Sequence, residues 1–322
     1  MRFRFHIPCL AAGILLAFGS AHAQPQGAKE NPAKKQPASL PAGVKVERGI
    51  PYLAGGNPKQ TLDLYFPETH GNKPRPLIVW IHGGGWRSGS KAGCNMAELV
   101  NEGYVVASVD YRFSQEAVFP AQIQDCQAAI RWLRAHAKTY QIDPDRIGVW
   151  GGSAGGHLAA LLGTAGGKNA FPPLGENGAQ SDRVQAVVDV YGPADFNTLM
   201  TQAAEATDVR NIFAFNTPSD PYSSLIGVPL GTEKSKSDAV SPAHYISQDN
   251  PPFLIFHGTR DTLVPLAQSE QFAAALEKAG VNVTLEVIPG AGHGGPEFQA
   301  PAVKQLTREF FNQHLPGSKA AP

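Results

Sequence analysis

The 322-residue chain predicts an α/β fold, a mostly parallel central sheet with helices on both faces and a small cap insertion. Three observations predict it. Apolar, strand-like runs alternate with helix-like stripes from residue 44 onward. Several of these runs, Ile78–Ile81 and Pro252–Phe256 among them, open directly into polar or Gly-rich loops. The segment Trp150-Gly151-Gly152-Ser153-Ala154-Gly155-Gly156 lies between the apolar run Arg146–Val149 and the Ala/Leu-rich stretch His157–Leu162, a strand, tight turn and helix in succession.

Along the chain, Val44–Arg48 and Gln60–Tyr65 read as an antiparallel edge, then Ile78–Ile81 and Tyr104–Val109 as further strands. From Pro120 a helix places Ile123, Cys126, Ile130 and Leu133 on a buried stripe, with Arg131 and Arg134 expected to face solvent. Strand Arg146–Val149 leads to Ser153, and Val184–Tyr191 is the sixth strand. Residues 193–250 then break the alternation: polar, punctuated by Pro and Gly, with Phe196, Phe213, Phe215 and Tyr222 scattered through them. We read this as a cap insertion whose aromatics serve mainly its own packing. Strands Pro252–Phe256 and Val281–Ile288 come next, and Val303, Leu306 and Phe310 give the last helix its apolar stripe.

Four groups in this frame carry chemistry. Glycines on both sides of Ser153 allow the sharp turn that lifts a nucleophile clear of a sheet, the context a G-x-S-x-G match requires. Upstream, the strand Ile78–Ile81 ends in His82-Gly83-Gly84-Gly85-Trp86, a loop type whose backbone N–H groups converge on a tetrahedral oxyanion. We assign the donors to the amides of Gly84, Gly85 and Ala154, with Trp86 and His82 as candidate substrate contacts. A triad in the order serine, acid, histidine continues with Asp261, on the loop His257-Gly258-Thr259-Arg260-Asp261, and His293, within Gly290-Ala291-Gly292-His293-Gly294-Gly295.

Other ionisable groups read as structural. His157 lies one helical turn beyond Ser153 and points down the helix flank, and His257 satisfies a local hydrogen bond at a strand end. Between its two roles, His82 reads more as a brace for the Gly-rich loop than as a proton carrier. Asp110 and Arg112 read as an ion pair supporting that loop, Asp143 and Asp145 fall at the opposite sheet edge, and Asp189 reads as a group behind the reacting ones.

With these residues in place, the chain resembles an α/β-hydrolase of the esterase/lipase branch, and within it the bifunctional feruloyl and acetyl xylan esterase family. The resemblance runs through Leu62–Pro67, His82–Gly89, Val106–Arg112, Phe119–Cys126, Asp143–Ile147 and Gly151–His157, over roughly residues 44 to 315. It implies a serine carboxylesterase acting on acetyl and, second, feruloyl esters of plant polysaccharide. Hormone-sensitive-lipase relatives share the Gly-rich loop but usually have an acidic residue where Gly152 stands. A prolyl-oligopeptidase-type peptidase shares fold and triad order but usually carries a large extra domain. These two enzymes are the alternatives. A binding protein on an inactivated scaffold normally loses the serine or the histidine, and both are here.

Composition and the chain ends bound the rest. Met1-Arg2-Phe3-Arg4, the apolar run Ile7–Phe18 and Ala21-His22-Ala23 form a cleavable secretory signal, 1–23, too short for a membrane span. We expect cleavage after Ala23 and a secreted or periplasmic product without a membrane anchor. Residues 24–43 read as a flexible leader, 44–316 as the catalytic domain and 317–322 as a tail. Lys plus Arg and Asp plus Glu both number 27, which offers no field to draw nucleic acid. The expected partner is a small acyl-ester or polysaccharide-ester substrate, and no feature assigns an oligomeric state. Cys94 and Cys126 lack metal-like spacing, and neither a cofactor nor a metal is called for. We place Cys94 at the start of a helix after the His82–Trp86 strand and Cys126 on the next helix, across the sheet. They should therefore remain unbonded in an oxidising compartment.

Overall fold

A computed structural model describes residues 40–69, 71, 73–206, 215–217 and 220–316. The signal segment, most of the leader, Phe213 and the 317–322 tail lie outside the described residues. Among the described residues eight strands form one sheet in the order β1-β2-β4-β3-β5-β6-β7-β8. They are β1 Val44–Pro51, β2 Thr61–Pro67, β3 Arg75–Ile81, β4 Val105–Val109, β5 Ile142–Gly152, β6 Ala186–Val190, β7 Phe253–Gly258 and β8 Val283–Ile288. Strand β2 runs antiparallel to both β1 and β4, and every pairing from β4 through β8 is parallel. All loops that leave β3, β5, β6, β7 and β8 therefore emerge at one edge, where ligands gather in open α/β sheets.

Among the described residues eight α-helices accompany the strands: α1 Ala121–Ala135, α2 Ala137–Tyr140, α3 Ala154–Ala165, α4 Leu199–Glu205, α5 Pro221–Ile226, α6 Lys234–Val240, α7 Leu266–Lys278 and α8 Pro301–His314. Strand residues alternate between two apolar layers. Leu77, Val79 and Ile81 pack with Ile123, Leu158 and Phe272 of α1, α3 and α7, whereas Ile78 and Val106 pack with Leu99, Val303 and Phe311 on the α8 side. Between 193 and 250 the described residues form no strand, only short helices α4–α6 and a 3₁₀ turn, Pro242–Tyr245.

Several expectations need correction. Arg131 is only 4% exposed, because its guanidinium pairs with buried Asp182 at 2.7 Å. Arg134 is half-buried and donates to the Pro144, Ser181 and Arg183 carbonyls. A helical stripe predicts apolar burial, but an Arg stem buries well wherever its head finds acceptors. On α8 the buried row is Val303, Thr307 and Phe311, while Leu306 is exposed. Thr307 enters that row because its hydroxyl donates to the Val303 carbonyl. No α-helix directly follows β3. Two 3₁₀ segments, Lys91–Gly93 and Ala97–Glu102, stand there, and Cys94 closes the first of them. Cys94 and Cys126 are both free and belong to opposite apolar layers.

Candidate active site

Strand β5 ends at Gly152 and α3 begins at Ala154, so Ser153 alone spans the turn. Its φ of 58° and ψ of −124° are strained for a residue with a side chain and must be enforced by its surroundings. Close backbone packing enforces them. A Cβ on Gly151 would come within 2.2 Å of the Gly155 carbonyl oxygen, and one on Gly155 within 2.1 Å of that of Ile81. Strand β5, helix α3 and strand β3 meet at distances that only glycine permits. The Ser153 amide donates to the Val190 carbonyl at 2.8 Å, which ties the turn to β6.

The loops after β7 and β8 bring two further groups to this serine. Ser153 Oγ lies 2.8 Å from His293 Nε2, and His293 Nδ1 lies 2.7 Å from Asp261 Oδ2. Burial alone would push the Asp261 carboxyl up, but hydrogen bonds from His257 and His293 outweigh it and hold the group well below the usual carboxylate range. Asp261 is then an acceptor only, His293 Nδ1 carries the proton, and its Nε2 lone pair faces the serine hydroxyl. Asp261 is itself fixed by the amides of Leu263 and Val264, both donating to Oδ1 at 2.8 and 2.9 Å.

The Gly-rich loop lies against the serine turn: a Cβ on Gly83 would sit 2.7 Å from the Gly152 carbonyl oxygen. His82 Nδ1 donates to the Gly83 carbonyl at 2.8 Å, and the Gly84 carbonyl accepts from Arg87 and Ser88 at 3.1 Å each. In a trans peptide the N–H points opposite its carbonyl, so holding these two carbonyls inside the loop turns the amides of Gly84 and Gly85 outward. Positive φ at both, 112° and 59°, makes that possible.

His82 is 2% exposed, stacked on Tyr111 and not part of the cavity lining, a position from which it braces the loop. Trp86 lines the cavity but is 2% exposed, its indole N–H donating to His157 Nδ1 at 3.2 Å. It forms a fixed wall. His157 Nε2–H donates to the Val240 carbonyl at 2.7 Å, and burial lowers its pKa to about 4, so it stays neutral. Asp110 and Arg112 do not pair with each other. Asp110 takes the Lys91 ammonium at 2.8 Å, and Arg112 takes Asp125 at 2.8 Å. The Asp110 carboxyl, which burial alone would raise, is drawn down to about 2 by His82 and Lys91. Asp143 pairs with Arg146 at the start of β5, the far edge of the sheet. Asp189 is buried behind the turn and accepts from the Gly192 amide at 2.9 Å, its pKa raised by burial to about 6. His257 donates to the Val264 carbonyl at 3.0 Å and accepts from Ser269 at 2.7 Å.

Sequence reasoning missed Tyr191. This residue holds a φ of 46°, and its ring centroid lies 4.6 Å from that of His293. It also packs on Phe298 at 4.7 Å, which props the Gly-flanked histidine loop from below. The signal available was a bulky residue directly ahead of Gly192 and Pro193 at a strand end.

Ser153, His293, Gly83–Trp86 and Tyr191 all line one cavity of about 720 Å³. Among the described residues no group of three His, Cys, Asp or Glu side chains is placed to hold a metal ion, and no helix is long and apolar enough to cross a membrane.

Residues 62–276 match the BD-FAE family model. Esterase LipC of Mycobacterium tuberculosis is 32% identical over 75% of this chain, which spans 58% of that protein's length. A truncated carbohydrate esterase from gut microbiota superposes with a TM-score of 0.75 at 31% identity, over 84% of this chain and 96% of its own. A bifunctional GH43-CE protein of Bacteroides eggerthii gives 0.74 at 30%, over 84% and 35%. The chain belongs to the BD-FAE family of α/β-hydrolase esterases.

Proposed function

We propose that this protein is a secreted serine carboxylesterase that removes short acyl groups from plant polysaccharide, acetyl first and feruloyl second. The observation that carries the reading is the continuous hydrogen-bond line Asp261–His293–Ser153, ending at the wall of a single cavity. Ser153 Oγ attacks the ester carbonyl as its proton passes to His293 Nε2, and the resulting oxyanion takes the amides of Gly84, Gly85 and Ala154. The His293 imidazolium, stabilised by Asp261, returns that proton to the departing alcohol, leaving Ser153 acylated. Water attacks the acyl-enzyme through the same base, and the acid leaves as Ser153 Oγ recovers its proton. The carbohydrate-esterase likeness of two solved structures supports the substrate class. The basic start, apolar run and Ala21-His22-Ala23 support export.

Ser153→Ala and His293→Ala test the mechanism. Each should remove nearly all hydrolysis of p-nitrophenyl acetate while circular dichroism stays native, and the double variant should be little worse than either, since such groups act as one unit. Wild-type turnover by Ser153→Ala would sink the proposal. N-terminal sequencing of the exported protein should begin at Gln24.

A further inference from the structure

We infer that the sugar carrying the ester is received on an indole floor formed by Trp80 and Trp150. This rests on the esterase reading of Ser153 and goes further by assigning the residues that choose the alcohol. Trp80 and Trp150 are direct partners in the parallel pairing of β3 and β5, so both rings stand on the same face of the sheet. Each lies just ahead of a reacting segment, Trp80 before His82 and Trp150 before Ser153. Both line the Ser153 cavity and are half-buried, whereas the other two tryptophans, Trp86 and Trp132, are 2% and 7% exposed.

The fold leaves this floor open for a local reason. Short 3₁₀ segments follow β3 in place of a covering α-helix. Gly93 lies beside the outer edge of Trp80, where a Cβ would stand 3.2 Å from the ring's Cη2. A glycine there keeps the indole accessible. On the rim, exposed Asn95 and Gln299 reach each other across the cleft, Asn95 Nδ2 donating to Gln299 Oε1 at 3.2 Å. Each amide has a second polar atom, the Asn95 Oδ1 acceptor and the Gln299 Nε2 donor.

Flat aromatic faces bordered by amides suit one class of small molecule. A pyranose has an apolar C–H face, attracted to the negative face of an indole, and an edge of hydroxyls that both donate and accept. Acyl size points the same way. An acetyl group fills a small part of about 720 Å³, and cavities of ~300–1,000 Å³ accommodate molecules many times larger. The indole floor and its amide rim line that same space.

The test compares kcat/KM on acetylated xylo-oligosaccharides, p-nitrophenyl acetate and methyl ferulate for the wild type, Trp80→Leu, Asn95→Ala and Gln299→Ala. The ratio of oligosaccharide to p-nitrophenyl acetate should fall about tenfold in Trp80→Leu and about threefold in each rim variant, the scale of one lost stacking or hydrogen-bond contact. The rim variants alter exposed side chains, so they report even if Trp80→Leu does not fold. A readout without turnover uses Ser153→Ala protein, whose tryptophan fluorescence should respond to xylo-oligosaccharide and lose that response when Asn95→Ala and Gln299→Ala are added. An unchanged ratio with Ser153-dependent turnover overturns the inference and leaves the esterase reading intact. So does a loss confined to methyl ferulate, which would put the acyl ring on this floor, or a wild type that ignores acetylated sugars. Absence of Ser153-dependent turnover on every ester removes the esterase reading itself.

Discussion

Replacing Asp261 by asparagine should be more damaging to catalysis than replacing it by alanine, although asparagine is the closer mimic. The two carboxylate oxygens have different neighbours. Oδ1 receives the amides of Leu263 and Val264 at 2.8 and 2.9 Å, and Oδ2 faces His293 Nδ1 at 2.7 Å and His257 Nε2 at 3.3 Å. Two N–H donors admit only an oxygen, so in Asp261→Asn the carbonyl must occupy the Oδ1 position and the NH₂ must face His293. His293 Nδ1 then has to accept, its proton moves to Nε2, and the lone pair that takes the Ser153 proton is gone. Charge loss adds to this. A carboxylate 2.7 Å from the imidazolium is worth about 6 kcal/mol at an effective dielectric of about 20, which at about 1.4 kcal/mol per decade is an upper limit of ~10⁴ in rate. An Asp→Asn exchange in such a triad costs a similar ~10⁴. Asp261→Ala loses the same charge but leaves His293 free to take either tautomer, and we expect the smaller loss of the two. Stability should rank the other way, because alanine leaves two buried amides unpaired at about 1–3 kcal/mol each. Steady-state kinetics on p-nitrophenyl acetate and thermal melting measure both orders. Asparagine retaining more than a tenth of wild-type kcat, or alanine proving the slower of the two, would refute the reasoning.

Three further outcomes are expected. Acetate and butyrate esters should be turned over faster than octanoate, since Trp86 and Tyr222 close one wall of the cavity and Phe196 backs them, through ring contacts of 5.6 to 6.0 Å; preference for long-chain triglyceride with activation at an oil surface would contradict this. Thiol titration of the denatured, unreduced chain from Gln24 onward should count both Cys94 and Cys126, and the native protein should react slowly, because burial raises the Cys94 thiol to about 11 and pushes that of Cys126 up as well. A count of zero would place the two on one face of the sheet. Asp189 has its pKa raised from 3.8 to about 6, so in that window the folded chain holds a proton that the unfolded chain has lost, and stability falls as pH rises through it. Asp189→Asn keeps the acceptor for the Gly192 amide and removes that slope. Its melting temperature relative to wild type should therefore climb between about pH 4 and pH 7, and a constant difference would show that Asp189 does not titrate with folding.

Local sequence alone was enough to say which residues could meet. Ser153 needed only its immediate setting, since a strand, glycines and a helix within a few residues dictate a strained turn wherever they occur. Parallel strands then force the loops after β3, β5, β7 and β8 to one edge, which is why Gly84, Asp261 and His293 could be named from strand ends alone. Which group pairs with which was decided by tertiary packing. Asp110 and Arg112 are neighbours in the chain, yet each finds its countercharge elsewhere, in Lys91 and Asp125, because side chains at a strand end diverge. Arg131 occupies a polar position on a helix and is buried all the same, since Asp182 arrives from a distant loop. Tyr191 beneath His293 and the half-covered indoles of Trp80 and Trp150 were equally invisible. An indole in a strand reads as core in any periodicity. Whether it is covered depends on the segment that leaves the neighbouring strand, and here two 3₁₀ turns and a glycine leave it open.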